Sequence, residues 1–182
     1  DVLYDITAPT LTLNQSVSET VGTCTFTAQA DPINTLPIEY RVTFSEPIDS
    51  ATFDSSDIVE SGSADGVVFT VTDCGDETNY SVKATSMSTA GHVIPSISAG
   101  AVDDPAGNSI AASTSTDNSV LYDNMGLGIT GVNRPGDGAY FTGNVLNFNI
   151  TFGEAPIVNT GGGTPRIRLN IWGVTRYADY SS

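Results

Sequence analysis

The sequence predicts an all-β protein: an antiparallel β-sandwich module followed by a second, incomplete β-sandwich module. Three observations carry that expectation. The segment Ile38-Glu39-Tyr40-Arg41-Val42-Thr43-Phe44 alternates apolar and polar without exception, the period of a strand with one buried face. Elsewhere, short apolar runs are separated by Gly, Pro, Asn and Asp, and no window carries a convincing 3.6-residue period. The tetrapeptide Val-Leu-Tyr-Asp occurs at positions 2–5 and again at 120–123, 118 residues further on, about the length of one sandwich module with its linker. A looser echo relates Val42-Thr43-Phe44-Ser45-Glu46-Pro47 to Ile150-Thr151-Phe152-Gly153-Glu154-Ala155-Pro156. The chain therefore reads as a slice of a tandem array.

In chain order, strands are expected at Thr10–Leu13, Thr23–Gln29, Ile38–Phe44, Val67–Asp73, Asn79–Ala84 and Ser113–Tyr122. In the third of these, Ile38, Tyr40, Val42 and Phe44 are expected to share a buried face while Glu39, Arg41 and Thr43 face water. Past Gly128, Leu146, Phe148, Ile150 and Phe152 alternate with polar residues, as do Ile167, Leu169 and Ile171 with Arg166, Arg168 and Asn170. Turns are supplied by Asp137-Gly138 and by Gly161-Gly162-Gly163. The expected division is residues 1–5 as the end of a preceding repeat or linker, 6–123 as a complete module, and 124–182 as the N-terminal part of a second. A sandwich needs about seven strands and residues 128–182 supply about four. The open sheet edge is completed either by continuation of the chain or by a strand from another chain.

Six basic residues against 21 acidic ones leave a net charge of −15, which repels nucleic acid and anionic lipid alike. No run approaches the roughly 20 apolar residues of a membrane span, so neither nucleic-acid binding nor membrane insertion is expected. With 39% hydrophobic residues the chain is globular rather than disordered. The two cysteines, Cys24 and Cys74, sit next to or within expected strands. Paired, they would mark an exported protein, and the roughly 50-residue loop would add about 4 kcal/mol on a chain-entropy estimate. Two buried free thiols are the alternative, and no metal-type spacing suggests zinc.

Several stretches resemble the bacterial Ig-like repeats of very large secreted or surface-anchored, adhesin-type proteins. They are Asp5-Ile6-Thr7-Ala8-Pro9-Thr10-Leu11-Thr12, Ala30-Asp31-Pro32-Ile33-Asn34, Pro37-Ile38, Val42 to Pro47, Ala99-Gly100-Ala101, Asp104-Pro105-Ala106-Gly107-Asn108 and Ala112 to Asn118. The match covers residues 4–123 and implies an Ig-like sandwich. From Ile129 onward, Asp137-Gly138-Ala139-Tyr140, Gly143-Asn144, Thr164 to Leu169 and Thr175 to Ala178 look like the first half of a second bacterial sandwich repeat type. Asn124-Met125-Gly126 follows Asp123 where a repeat of the first type would begin Thr-Ala-Pro, and the two cysteines are an addition to the usual pattern.

Candidate chemistry is sparse. His92, the single histidine, lies in the turn-like stretch Gly91-His92-Val93 without a Gly-x-Ser-x-Gly elbow, and Gly161-Gly162-Gly163-Thr164 lacks the ending of a phosphate loop. No residue is expected to be catalytic. Asp103, Asp104 and Asn108 crowd one loop, and Asp5 and Asp123 recur at the module boundaries. These oxygen ligands suit Ca²⁺, which takes six to eight of them, and the resemblance implies Ca²⁺ between modules, with Asp104 and Asp123 first; ordinary Asx-turn chemistry is the competing reading. Trp172, Tyr177 and Tyr180 are a candidate aromatic platform for a sugar or partner protein, or else sheet packing.

The expected function is that of a rigid, non-catalytic, extracellular spacer in a large bacterial surface or fibre protein, contributing to adhesion. Its partners are neighbouring modules of the same chain and a cell-surface protein or glycan. The alternatives are a ligand-binding module built on the second unit and an accessory to an enzyme elsewhere in the parent chain.

Overall fold

The computed structural model describes residues 4–181, so Val2 and Leu3 of the first Val-Leu-Tyr-Asp copy lie outside the described residues. The fold is all-β. The strands are β1 (Leu11–Gln15), β2 (Glu19–Val21), β3 (Cys24–Phe26), β4 (Ile38–Phe44), β5 (Ile58–Glu60), β6 (Val68–Asp73), β7 (Asn79–Ser86), β8 (Gly91–Val93), β9 (Pro95–Ile97), β10 (Val120–Tyr122), β11 (Ile129–Asn133), β12 (Asn149–Phe152), β13 (Arg166–Ile171) and β14 (Val174–Asp179). They divide between two compact units, one ending at Met125 and the other beginning at Gly126. No helix among the described residues is long and apolar enough to cross a membrane.

In the first unit a four-stranded antiparallel sheet has the order β1-β4-β7-β6. Alternation along β4 puts Ile38, Tyr40, Val42 and Phe44 on one face, where all four are buried. The register sets Val42 opposite both Leu13 and Tyr80, and Tyr40 opposite Val82. The antiparallel pairs β5–β9 and β8–β10 form the facing layer, and Ile58, Val93, Ile97, Val120 and Tyr122 join the same hydrophobic core. Tyr40 spans the layers by donating its hydroxyl to the Val93 carbonyl at 3.0 Å. Phe44, Phe53 and Tyr80 meet edge to face, with centroids 5.1 to 5.7 Å apart, the arrangement the ring quadrupoles favour. Each fully buried side chain of this kind is worth about 1.5–3 kcal/mol of transfer free energy.

The second face of β4 departs from expectation. Glu39, expected in water, is only 8% exposed. Its carboxylate accepts the Ser81 hydroxyl at 2.7 Å and pairs with Lys83, directly opposite it on β7, at 3.1 Å. Arg41 bonds Asn79 and reaches Glu19 at 2.7 Å. The reason is that β4 is a central strand whose outer face is met by other parts of the chain, Gln29 at Glu39 and Glu19 of β2 at Arg41, so polarity there means pairing rather than solvation. A small second core of Cys24, Phe26, Cys74 and Val21 seals the hairpin.

Other expected strands are shorter than anticipated. Thr23–Gln29 is a strand only over Cys24–Phe26, because Gln29 turns its side chain onto β4: its amide accepts from Glu39 N at 3.0 Å and donates to Glu39 O at 2.7 Å. Ser113–Tyr122 keeps a strand only at its end, preceded by a single parallel bridge between Thr12 and Thr114. Gly91-His92-Val93, expected as a turn, is β8.

The second unit contains two antiparallel pairs, β11–β12 and β13–β14. Its apolar alternation holds, with Phe148, Ile150, Phe152, Ile167 and Leu169 half-buried and their neighbours exposed, but none of its described residues is fully buried. Trp172 and Gly173 close the β13–β14 hairpin with φ of 54° and 81°, as a type I′ turn requires.

Candidate functional site

The clearest convergence of charged groups lies where the chain enters the first unit. Asp5, Glu46 and Asp104 place a carboxylate oxygen each within 4.8 Å of the others. Asp5 precedes β1, Glu46 follows β4, and Asp104 sits in the loop after the buried Val102. Pairing of Leu11 with Phe44 at the start of β1 carries Asp5 toward Glu46, and the Asn108 side-chain amide donates to Asp5 O at 3.3 Å and to Asp104 Oδ2 at 2.8 Å.

The three carboxylates differ in their support. Burial would push the Asp104 carboxyl up, but donors from the Asn108 side chain and from Asn108 and Ala106 N–H, both at 2.8 Å, outweigh it and hold the group below the usual carboxylate range. Glu46 accepts no hydrogen bond among the described residues. Desolvation, then repulsion from Asp5 and Asp104, push its carboxyl up. A hard cation at this point would relieve that repulsion, and a carboxylate triad offers part of the six to eight oxygens Ca²⁺ takes.

The other candidate Ca²⁺ ligands lie otherwise. Asp103 points to Ser109, whose hydroxyl it accepts at 2.5 Å, and its backbone holds Thr52 and Asp49. Asn108 presents its amide donor to the acids, not its oxygen. Asp123 belongs to the opposite end of the unit, accepting from Met125 N at 3.0 Å. Nothing local in the sequence marks Glu46; only the β1–β4 pairing brings it beside Asp5.

Entry and exit are indeed at opposite ends. Ser45 N bonds Thr10 O at the end of β4 where the chain arrives, whereas Tyr122 bridges to Ile33, ahead of the start of β4, where it leaves. Seven residues of β4 separate those ends by about 20 Å. Between them the first and last segments run parallel, side by side. Leu13 N donates to Thr114 O at 3.0 Å, Thr114 N to Leu11 O at 3.1 Å, Gln15 N to Asp117 O at 2.5 Å, and Asn14 Oδ1 accepts from Ser115, Thr116 and Asp117 at 3.0 Å each. Cys24 and Cys74 form a disulfide across 50 residues, tying the β2–β3 hairpin to the β6–β7 turn.

At the exit end, residues 27–30 and 32–35, with Pro37, Glu39, Asp123 and Met125, line a cleft of about 770 Å³. Of its acids, Glu39 is already committed to Ser81 and Lys83. His92 Nδ1 lies 3.1 Å from Ser119 Oγ, and among the hydrogen bonds of the described residues no carboxylate extends that pair toward a triad.

The three aromatics of the second unit do not form one platform. Trp172 stands at the hairpin tip, 97% exposed; Tyr177 lies within β14 at 51%; Tyr180 follows the strand at 44%, its N–H bonded to Pro165 O. Strand alternation sends Tyr177 and Tyr180 to opposite faces. Arg166 stacks over Tyr177, with Cζ 4.4 Å from the ring centroid. Comparison with protein families, curated proteins and solved structures finds no match for this chain.

Proposed function

We infer that the first unit is a non-catalytic, load-bearing spacer, an Ig-like module of a tandem array exposed outside a bacterial cell, where it holds an adhesive element at a distance. The observation that carries this reading is the parallel seam between residues 9–15 and 111–117, combined with chain ends that leave in opposite directions. Tension applied through the two ends shears that seam. Its hydrogen bonds are then loaded together rather than unzipped one at a time, and the rate of forced unfolding depends on that barrier. The Cys24–Cys74 bridge supports an oxidising, exported setting, and the sequence resemblance supports the array. Ca²⁺ held by Asp5, Glu46 and Asp104 stiffens the entry by tying the leading segment to two loops of the module.

Single-molecule extension of the oxidised chain tests the reading. A spacer of this design unfolds at a higher force when pulled from its ends than across the β2–β3 hairpin, and releases about 170 Å more contour length after reduction, the span of the 50 residues that the bridge shields. Equal forces in the two pulling directions would sink the load-bearing reading. Calcium that leaves both force and melting temperature unchanged would remove the cation from it.

A further inference from the structure

Charge is distributed unevenly along the chain. From Gly126 onward lie four of the six basic residues but only three of the 21 acidic ones. Three of those arginines, Arg166, Arg168 and Arg176, belong to the β13–β14 hairpin. The other basic side chains each hold a carboxylate: Arg41 with Glu19, Lys83 with Glu39, Arg134 with Asp137. Among the described residues the hairpin arginines make no ion pair, in a chain where acids are in large excess.

The register sorts the hairpin into two faces. Ile167, Leu169 and Ala178 are half-buried on one, with Arg176 beside them. The other presents Arg166, Arg168 and Asn170 opposite Asp179, Tyr177 and Thr175 respectively, all exposed. On this outer face Arg166 lies over the Tyr177 ring, while Arg168 stands directly across from the same residue. At the open end of the hairpin, Gly162, Gly163, Thr164, Arg166 and Asp179 line a depression of about 480 Å³. Neither Gly162 nor Gly163 would meet another atom with an added Cβ, so the floor is wide open.

We propose that the outer face of the β13–β14 hairpin binds a sugar residue carrying one carboxylate, such as a uronic acid at a glycan terminus. Guanidinium forks match a carboxylate bidentately, and the Tyr177 ring supplies an apolar surface beside them for the sugar's C–H face. Asp179, Asn170 and Thr175 provide acceptors and donors for hydroxyls. Asp179 also sets the charge count, since a second carboxylate in the depression would face it. The overall charge of −15 disfavours both a polyanion and a second copy as the occupant. This site is independent of the spacer reading, and its failure would leave the extension experiment untouched.

Titration of the intact chain with methyl β-glucuronide, followed by backbone NMR shifts, tests the proposal, with methyl β-glucoside and acetate as controls. The expected result is a dissociation constant on the order of a millimolar, about tenfold tighter than either control, with shifts confined to β13, β14 and the 161–164 loop. Arg168→Ala and Tyr177→Leu lose about tenfold each, Arg168→Lys loses part by keeping charge without the fork, and Arg176→Ala on the opposite face binds normally. If Arg168→Ala unfolds the hairpin, seen as collapse of its amide shifts, the Arg168→Lys result decides. Glucoside or acetate binding as tightly as glucuronide overturns the proposal, as does undiminished binding by the folded Arg168 variants. Concentration-dependent sedimentation that Arg168→Ala abolishes also overturns it, by showing that the face is occupied by a second copy.

Discussion

The Asn14 side chain and the Asp117 backbone, 103 residues apart, are joined by a 3.0 Å hydrogen bond into Asn14 Oδ1, beside a 2.5 Å bond from Gln15 N to Asp117 O. One amide oxygen thus ties the first strand of the module to the segment that leads into its last strand, β10. Asn14→Ala removes the acceptor shared by Ser115, Thr116 and Asp117. Because that rim is exposed and water replaces the lost partner, the cost is modest, about 1 kcal/mol. Equilibrium urea unfolding measures it, and extension should show a lower unfolding force for the variant than that static cost alone would suggest.

Reduction of Cys24–Cys74 removes a constraint on a loop of 50 residues. The chain-entropy estimate is about 4 kcal/mol, equivalent to a fall in melting temperature on the order of 15 °C for a module of this size. Differential scanning calorimetry with and without reductant reads the shift, and it should fall on the first unit's transition alone. An unchanged first transition would mean that the β2–β3 hairpin is held by Phe26 and Arg41–Glu19 without help from the bridge.

The entry cluster predicts two opposite pH effects. Glu46 has a raised folded pKa, so the folded state gains stability as pH falls through that raised value, and the gain is complete below the ordinary glutamate value of 4.5. Asp104 is depressed, so its contribution is present above 3.8 and is lost as pH falls further through its folded value. In chelator, melting temperature should therefore rise slightly on mild acidification and then drop in strong acid. Glu46→Gln should abolish the mild-acid rise, melt higher than the parent at neutral pH in chelator, and lose any stabilisation by Ca²⁺. A Glu46→Gln variant still stabilised by Ca²⁺ would move the ion elsewhere.

Tyr80 is buried against Phe44 and Phe53, and its hydroxyl has no hydrogen-bond partner among the described residues. An unpaired buried hydroxyl costs about 1–3 kcal/mol, whereas the ring alone packs at no such cost. Tyr80→Phe should therefore stabilise the first unit by about 1 kcal/mol in chemical denaturation. A destabilised variant would reveal a polar partner, such as an ordered water, at that hydroxyl.

The sequence by itself determined the class of the fold and the inward face of its central strand. Strict alternation from Ile38 to Phe44 leaves a helix no apolar stripe, and β4 has those bounds with those four residues buried. It also placed the two cysteines in or beside strands, within reach of pairing. What tertiary structure decided are relations between segments far apart in the chain. Glu39 is buried because Gln29 folds onto its strand and Ser81 and Lys83 of β7 hold its carboxylate; Glu46 joins Asp5 and Asp104 because β1 pairs with β4; Trp172, Tyr177 and Tyr180 part company because a hairpin sends side chains to its tip and to alternate faces. Periodicity reports which way a side chain points relative to its own strand. Only the packing of other strands decides whether it meets water, a partner charge or the core.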